Sequence, residues 1–256
     1  MLGKLLKYEF KSTARILIPL YIFAIIFSGI CRLFQTISDN FKIMTTPTVL
    51  MYIFYVVIMI AIVVTTFIIM IQRFYKNLIG DEGYLMFTLP VEPHQHILTK
   101  FITSFTWLAA SLVVAVISIF ILIFTPKLFD EIRQILSMTP KEMIPSIIYS
   151  ILFSIFAAIS GILMIYAAMA IGQLVTGHRI IGSVVAYFGM YVINQIIMTI
   201  GLAVYGYVNK NTLFQNSVSI TDIASVFVIA LVYDVIICCV YFLATHYIFK
   251  NKLNLE

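Results

Sequence analysis

Residues 49–72 read VLMYIFYVVIMIAIVVTTFIIMIQ, a run without a single charged side chain. A helix needs about 20 predominantly apolar residues to cross the hydrocarbon core of a bilayer, and this stretch is long enough. Five further apolar segments of comparable length occur at residues 16–34, 101–124, 145–172, 180–207 and 223–249. The sequence therefore predicts an all-α, polytopic membrane protein with six transmembrane helices, and we expect residues 1–256 to form a single transmembrane domain.

The composition of the whole chain supports the same fold class. Of its 256 residues, 62% are apolar and 11% are charged, whereas a soluble domain carries about 25% charged residues. Six spans leave no room for a sizeable aqueous domain, which excludes a self-contained ATPase, a kinase and a nucleic-acid enzyme. The net charge of +5 suits the anionic surface of membrane lipids, and no nucleic-acid partner is expected.

The distribution of lysine and arginine predicts the orientation, because cytoplasmic loops carry an excess of these residues. With the N-terminus inside, the cytoplasmic set is Lys4, Lys7, Lys11, Arg15, Arg73, Lys76, Lys100, Arg179, Lys250 and Lys252. The smaller outside set is Arg32, Lys42, Lys127, Arg133, Lys141 and Lys210. We therefore expect both termini in the cytoplasm.

The sequence contains no recognisable catalytic apparatus. Walker A, HExxH, CxxC and GxSxG patterns are absent. Cys31, Cys238 and Cys239 lie in or at the edge of apolar spans and are expected to be free thiols. His94 and His96 fall in a loop and lack the further ligands that a metal site needs. No catalytic, cofactor-binding or metal site is predicted in this chain.

Residues 1–15 form an amphipathic pattern when placed on a helix. Lys4, Lys7, Lys11 and Arg15 share one face, and Leu2, Leu5, Leu6 and Phe10 share the other. The pattern predicts a helix lying in the membrane interface, while the alternative is a charged flank that only orients the first span. Glu9 falls within the apolar face, so we expect it to pair with a basic or hydrogen-bonding group of this chain or of another subunit.

Residues 73–100 are predicted to form a cytoplasmic loop that contains a short helix. Gly80 can end the helix before it, Asp81 can cap the new helix, and Pro90 with Pro93 can bound it. The apolar residues Tyr84, Leu85, Met86 and Phe87 lie in this charged loop and predict a docking surface. The acidic residues Asp81, Glu82 and Glu92 favour a protein partner over anionic lipid.

The polar side chains within the predicted spans that draw most interest are Thr65, Thr66, Asn194, Gln195 and Asp234. They either form hydrogen bonds between helices or line a transport pathway. Met190 and Met198 are four residues from Asn194 and would place adaptable thioethers on the same stripe. A separate set of small residues predicts close helix packing on the fourth span: Ala157, Gly161, Ala168 and Gly172.

Two motifs carry a family resemblance. Residues 80–91 (GDEGYLMFTLPV), followed by ILTK at 97–100, resemble the loop between the second and third spans of type-2 ABC export permeases. The sequence KYEFK at residues 7–11 is similar to the N-terminal connecting helix of that family. The resemblance implies a multi-pass subunit of the bacterial cell membrane that pairs with a second permease copy or homologous permease and with two ATPase subunits, which bind ATP and Mg²⁺.

The resemblance also implies roles for individual residues. The ATPase subunit would contact the coupling-helix residues Asp81, Glu82, Tyr84, Leu85, Met86, Phe87 and Leu89. The connecting helix would include Lys7, Glu9, Phe10 and Lys11. The second and fifth spans would line the route at Thr65, Thr66, Met190, Asn194 and Met198, with Asp234 behind them as a structural or gating carboxylate.

The cargo is predicted from the character of the spans. They are rich in Phe, Met, Tyr and Ile, which suits an amphipathic peptide or a hydrophobic drug. A secondary transporter would show repeats or several intramembrane charges, but only Asp234 qualifies. An intramembrane enzyme would need a denser cluster than Asp234 and His246. The sequence therefore favours an exporter over both of these alternatives.

Overall fold

The computed structural model describes residues 2–41, 45–78, 80, 93–124, 128–138, 140–141, 143–175, 177–208 and 220–252. These residues form seven α-helices: α1 (Leu2–Phe41), α2 (Thr45–Leu78), α3 (Pro93–Ile123), α4 (Leu128–Met138), α5 (Met143–Gly172), α6 (Arg179–Val208) and α7 (Ile220–Asn251). Over the described ranges there is no strand. The predicted all-α fold is confirmed for them.

Six of these helices are long and apolar enough to cross a membrane, namely α1–α3 and α5–α7. Each of the six predicted apolar segments falls on one of them. Large apolar side chains are exposed on their surfaces, as with Ile180 and Val185, each 65% exposed. A water-soluble monomer rarely exposes such continuous apolar surface, whereas a lipid-facing surface requires it. The fold is that of a multi-pass membrane protein.

The N-terminal segment differs from the expected arrangement. Residues 2–15 form the first turns of α1 rather than a separate helix, and α1 continues through Pro19 without interruption. No glycine or proline lies between Gly3 and Pro19, so nothing in the sequence breaks the helix there. The basic side chains expected on one face are all exposed: Lys4, Lys7, Lys11 and Arg15.

The connection between α2 and α3 is shorter than the predicted loop of residues 73–100, because both flanking helices extend into it. The Gly80 N–H donates to the Tyr75 C=O at 2.8 Å, a bond that is typical of a helix end. Pro93 begins α3, where its missing N–H costs nothing. The predicted coupling-helix residues lie outside the described residues: Asp81, Glu82, Tyr84, Leu85, Met86, Phe87 and Leu89.

The chain forms two compact units. Unit 1 comprises Met1–Phe74 and Gln95–Ser137, and unit 2 comprises Tyr75–His94 and Met138–Glu256. Unit 1 therefore holds α1 and most of α2, α3 and α4. Unit 2 holds α5, α6 and α7.

Buried side chains recur every seven residues along the long helices of unit 1. They are Leu17, Ala24, Cys31 and Ser38 on α1, Thr48, Tyr55, Ile62 and Ile69 on α2, and Ser104, Ser111 and Ser118 on α3. A seven-residue recurrence is typical of helices packed side by side at a small crossing angle. Hydroxyl pairs join the helices within this core, including Tyr55 with Ser118 at 2.6 Å between oxygens.

One helix of unit 1, α4, is absent from the sequence prediction. Its first turn contains Asp130 and Glu131, which are favourable at the positive end of a helix dipole. The Phe129 ring lies 6.5 Å from that of Phe120 and 6.2 Å from that of Phe124. The apolar spacing of residues 128, 129, 132, 135 and 136 is the signal that indicates this helix.

Unit 2 is built on the second half of α5, which is almost wholly buried from Ile162 to Gly172. A Cβ at Gly172 would lie 2.6 Å from the Ser183 Cα of α6, so only glycine allows this approach. The predicted small-residue packing is therefore confirmed at Gly172. It does not extend to Gly161, whose Cβ would meet nothing within 4 Å.

Candidate functional site

A cavity of about 350 Å³ lies among the three helices of unit 2. Its lining residues are Phe153, Ala157, Ser160, Gly161 and Met164 of α5, Tyr191, Asn194, Gln195 and Met198 of α6, and Tyr233, Asp234, Ile237 and Tyr241 of α7. On each helix these positions are mainly three or four residues apart, so each helix presents one face. Each of the three helices contributes at least one polar side chain to the lining.

Asp234 is the one acidic residue in the lining of this cavity. It lies near the middle of α7 and is 9% exposed. Its Oδ1 accepts a hydrogen bond from Ser160 Oγ at 3.2 Å, while Oδ2 is buried without a hydrogen-bond partner among the described residues. A carboxylate buried in a membrane span is costly unless it is paired, so this position is a candidate for function.

Asn194 connects α6 to α7 across the same cavity. Its Nδ2 donates to Tyr241 Oη, and its Oδ1 accepts from Tyr233 Oη at 2.8 Å. Nδ2 also lies 3.5 Å from the Met164 sulfur. The side chain is thus held by two phenol groups, which fixes its orientation at the edge of the cavity.

The structure brings together three of the predicted pathway residues, namely Asn194, Met198 and Asp234. Gln195 lines the same cavity, whereas Met190 is not part of the lining. The predicted residues of the second span lie elsewhere, because Thr65 and Thr66 belong to unit 1.

Thr66 occupies the interior of unit 1. It is buried, and its Oγ1 lies 3.0 Å from Ser111 Oγ on α3. Its geometry is that of a hydrogen bond between helices, which is one of the two roles considered for it.

Sequence reasoning missed the aromatic part of the cavity. Tyr191, Tyr233 and Tyr241 line it together with Asp234. The spacing of these tyrosines could have indicated that they share a helix face with the predicted polar residues. Tyr191 precedes Asn194 by three residues, and Tyr241 follows Asp234 by seven.

We expect Asn194→Leu to lower the free energy of unfolding by about 1–2 kcal/mol, because it removes the amide that two tyrosines contact. Gln195→Leu is the matched control on the same helix and should change stability by less than about 0.5 kcal/mol. Unfolding of the purified protein in detergent, followed by circular dichroism, measures both. Equal losses in the two variants would show that the Asn194 contacts contribute nothing specific.

A second polar site, here called the polar junction, lies in unit 1 and consists of Glu9, Arg73 and Lys100. Glu9 Oε2 lies 3.3 Å from Arg73 Nη1, and Glu9 Oε1 bonds to Lys100 Nζ. Glu9 and Lys100 are 8% and 3% exposed. The prediction that Glu9 pairs with a basic group is therefore confirmed within this chain.

The polar junction joins three helices at one end of unit 1. Glu9 belongs to the start of α1, Arg73 to the end of α2 and Lys100 to the start of α3. The neighbouring Trp107 Nε1 donates to Thr13 Oγ1 at 2.7 Å. A cavity of about 20 Å³ beside these groups has room for one water molecule.

The described residues contain no group of three or more His, Cys, Asp or Glu side chains placed to hold a metal ion. His94 and His96 lie on the first turn of α3 rather than in a loop. Cys31, Cys238 and Cys239 are free thiols. Comparison of the chain with models of known protein families, with curated proteins and with solved structures finds no match.

Proposed function

We propose that this chain is the transmembrane subunit of an ATP-driven ABC exporter. It pairs with a second permease copy or a homologous permease and with two ATPase subunits that bind ATP and Mg²⁺. It exports an amphipathic peptide or a hydrophobic small molecule across the bacterial cell membrane, with both termini in the cytoplasm. The six candidate membrane helices and the motifs at residues 7–11 and 80–100 support this proposal.

The observation that carries the proposal is the position of the polar junction. The predicted coupling helix lies between α2 and α3, and Arg73 and Lys100 are on these two stems. Glu9 contacts both stems from α1. A force applied to the segment between the stems would thus reach α1 through these charged side chains.

The cavity of unit 2 is the proposed cargo site. Its Met, Tyr and Phe side chains suit apolar surface, and its few polar groups can orient a ligand. A secondary transporter is the second candidate, and the buried Asp234 favours it, because intramembrane carboxylates recur in ion-coupled transport. Dependence of transport on ATP rather than on an ion gradient separates the two functions.

Purification from native membranes tests the proposal directly. The exporter hypothesis predicts a stoichiometric soluble subunit with a Walker A motif, and ATP hydrolysis by the complex in lipid nanodiscs. Transport that persists without such a subunit, and that follows an ion gradient, would establish the secondary transporter instead.

We expect Tyr84→Ala combined with Phe87→Ala to reduce assembly with the ATPase subunit or to uncouple ATP hydrolysis from transport. The reason is that these apolar side chains are the proposed docking surface in an otherwise charged loop. Co-purification and ATPase stimulation in nanodiscs measure the effect. The matched control replaces two exposed aromatic residues of the spans, Phe188 and Tyr247, with Ala. Normal assembly together with normal coupling of ATP hydrolysis to transport in both double variants would exclude the docking surface.

A further inference from the structure

The geometry points to an organic ammonium cation with an apolar body as the ligand of the unit 2 cavity. That this ligand is also the exported cargo rests on the proposed function. The binding itself does not, because the cavity is formed by α5, α6 and α7 of this chain alone.

Charge is the first reason. Asp234 is the single acidic residue of the lining, and the lining contains no Lys, Arg or His. Its Oδ1 accepts from the neutral Ser160 hydroxyl, and Oδ2 accepts no hydrogen bond from a described residue. A ligand ammonium would supply the positive charge that the described side chains do not place beside this carboxylate.

The aromatic and amide groups provide the second reason. Tyr191, Tyr233 and Tyr241 line the cavity together with Phe153, and the faces of such rings attract ammonium groups. The Asn194 amide is held by two of these tyrosines, so the rings are fixed relative to Asp234. A carboxyl group and aromatic rings that line the same cavity are the groups that recognise quaternary and primary ammonium ligands.

The size and chemistry of the cavity favour an organic cation over a metal ion. A volume of about 350 Å³ falls in the range of small-molecule sites, about 300–1,000 Å³. Calcium takes six to eight oxygen ligands and magnesium requires octahedral coordination. The lining provides a single carboxylate, and its Asn194 amide and two of its three phenols are already hydrogen-bonded to one another. The thioethers of Met164 and Met198 instead offer adaptable contacts for an apolar body.

Gly161 is a position from which an added side chain can fill the cavity. It lines the cavity, and a Cβ added there meets nothing within 4 Å. Gly201 of α6 is the matched control, because its Cβ also meets nothing within 4 Å and it is not part of the lining. A leucine at either position therefore tests occupancy of the cavity against a general effect of adding a large side chain to a span.

The experiment measures binding to the purified chain, without an ATPase subunit, in nanodiscs of zwitterionic lipid. The probes are a dansyl-labelled alkyltrimethylammonium and its uncharged isostere, in which a tert-butyl group replaces the ammonium. Empty nanodiscs give the background of lipid partitioning. The wild-type protein should bind the ammonium probe at least about tenfold more tightly than the isostere.

The variants assign the binding to named groups. Asp234→Asn should lower the affinity for the ammonium probe about tenfold and change the affinity for the isostere less than twofold. Gly161→Leu should lower the affinity for both probes, and Gly201→Leu should leave both affinities unchanged. If Asp234→Asn fails to fold, two measurements still test the inference. They are the ratio of the two probe affinities in the wild-type protein, and the comparison of Gly161→Leu with Gly201→Leu.

Equal wild-type affinity for the two probes, or unchanged ammonium affinity in folded Asp234→Asn or Gly161→Leu, would overturn the inference. That result would not contradict the proposed assembly with an ATPase subunit. Conversely, failure to assemble with an ATPase subunit would contradict the proposed function but would not affect the measured binding of the ammonium probe.

Discussion

Replacing Glu9 with glutamine is expected to lower the free energy of unfolding by about 3–5 kcal/mol, the cost of breaking a buried ion pair by removing one partner. The carboxylate contacts Arg73 and Lys100, and Lys100 is only 3% exposed. The variant removes the carboxylate that both basic side chains contact, while Lys100 stays buried. Trp107, the one tryptophan of the chain, lies beside the polar junction, so its fluorescence during unfolding in mixed micelles reports the loss.

Two further variants distinguish the ion pair from a general effect at the N-terminus. Lys7→Gln changes an exposed charge on the same helix and should alter stability by less than about 0.5 kcal/mol. Glu9→Gln combined with Lys100→Met should recover more than half of the loss, because the buried ammonium is removed together with the carboxylate that it contacts. Arg73, the other basic partner of Glu9, is the more exposed of the two. If Glu9→Gln alone is as stable as the control Lys7→Gln, the ion pair does not hold α1 to its neighbours.

The same double variant separates a structural role from a coupling role. If the polar junction only stabilises unit 1, restored stability should restore transport as well. If it transmits force between α1 and the stems of the coupling segment, as the proposed function requires, the apolar replacement should fold and assemble but show less transport for each ATP hydrolysed. ATPase activity and transport measured on the same nanodisc preparation give that ratio.

The outlines of the fold could be predicted from the sequence because the bilayer imposes a simple length requirement. Each span had to provide about 20 apolar residues, and every predicted segment falls on a helix. The continuity of α1 could not be predicted in the same way, since a basic amphipathic pattern fits both a helix lying in the interface and the end of a spanning helix. The difference depends on which neighbours the helix packs against.

The candidate site was predictable only for residues that are unusual in a membrane. Asp234 and Asn194 stand out in apolar spans, and Glu9 stands out on an apolar face, so each indicated a missing partner. The identity of these partners depends on tertiary contacts over long separations, such as Glu9 with Lys100. The chain contains 15 tyrosines, and only the packing of α5, α6 and α7 shows which of them line the cavity with Asp234.

Replacing Gly172 with alanine is expected to destabilise the protein by about 3 kcal/mol, at the upper end of the usual cost of overpacking. The added Cβ would overlap Ser183 and lie 2.6 Å from its Cα, so backbone rather than a flexible side chain would have to move. Thermal unfolding in detergent, followed by circular dichroism, measures the change. Since α5 and α6 both line the cavity, the displacement should also weaken binding of the ammonium probe.

Two other helical glycines provide the control for that substitution. Gly161→Ala and Gly189→Ala each add the same methyl group, but nothing lies within 4 Å of either Cβ. Alanine favours the helix over glycine by up to about 1 kcal/mol, so these two variants should be as stable as the wild-type protein or slightly more stable. If all three variants unfold at the same temperature, the approach of α5 to α6 does not depend on glycine. A loss confined to Gly172→Ala would instead identify this contact as the one that sets the spacing of the cavity walls.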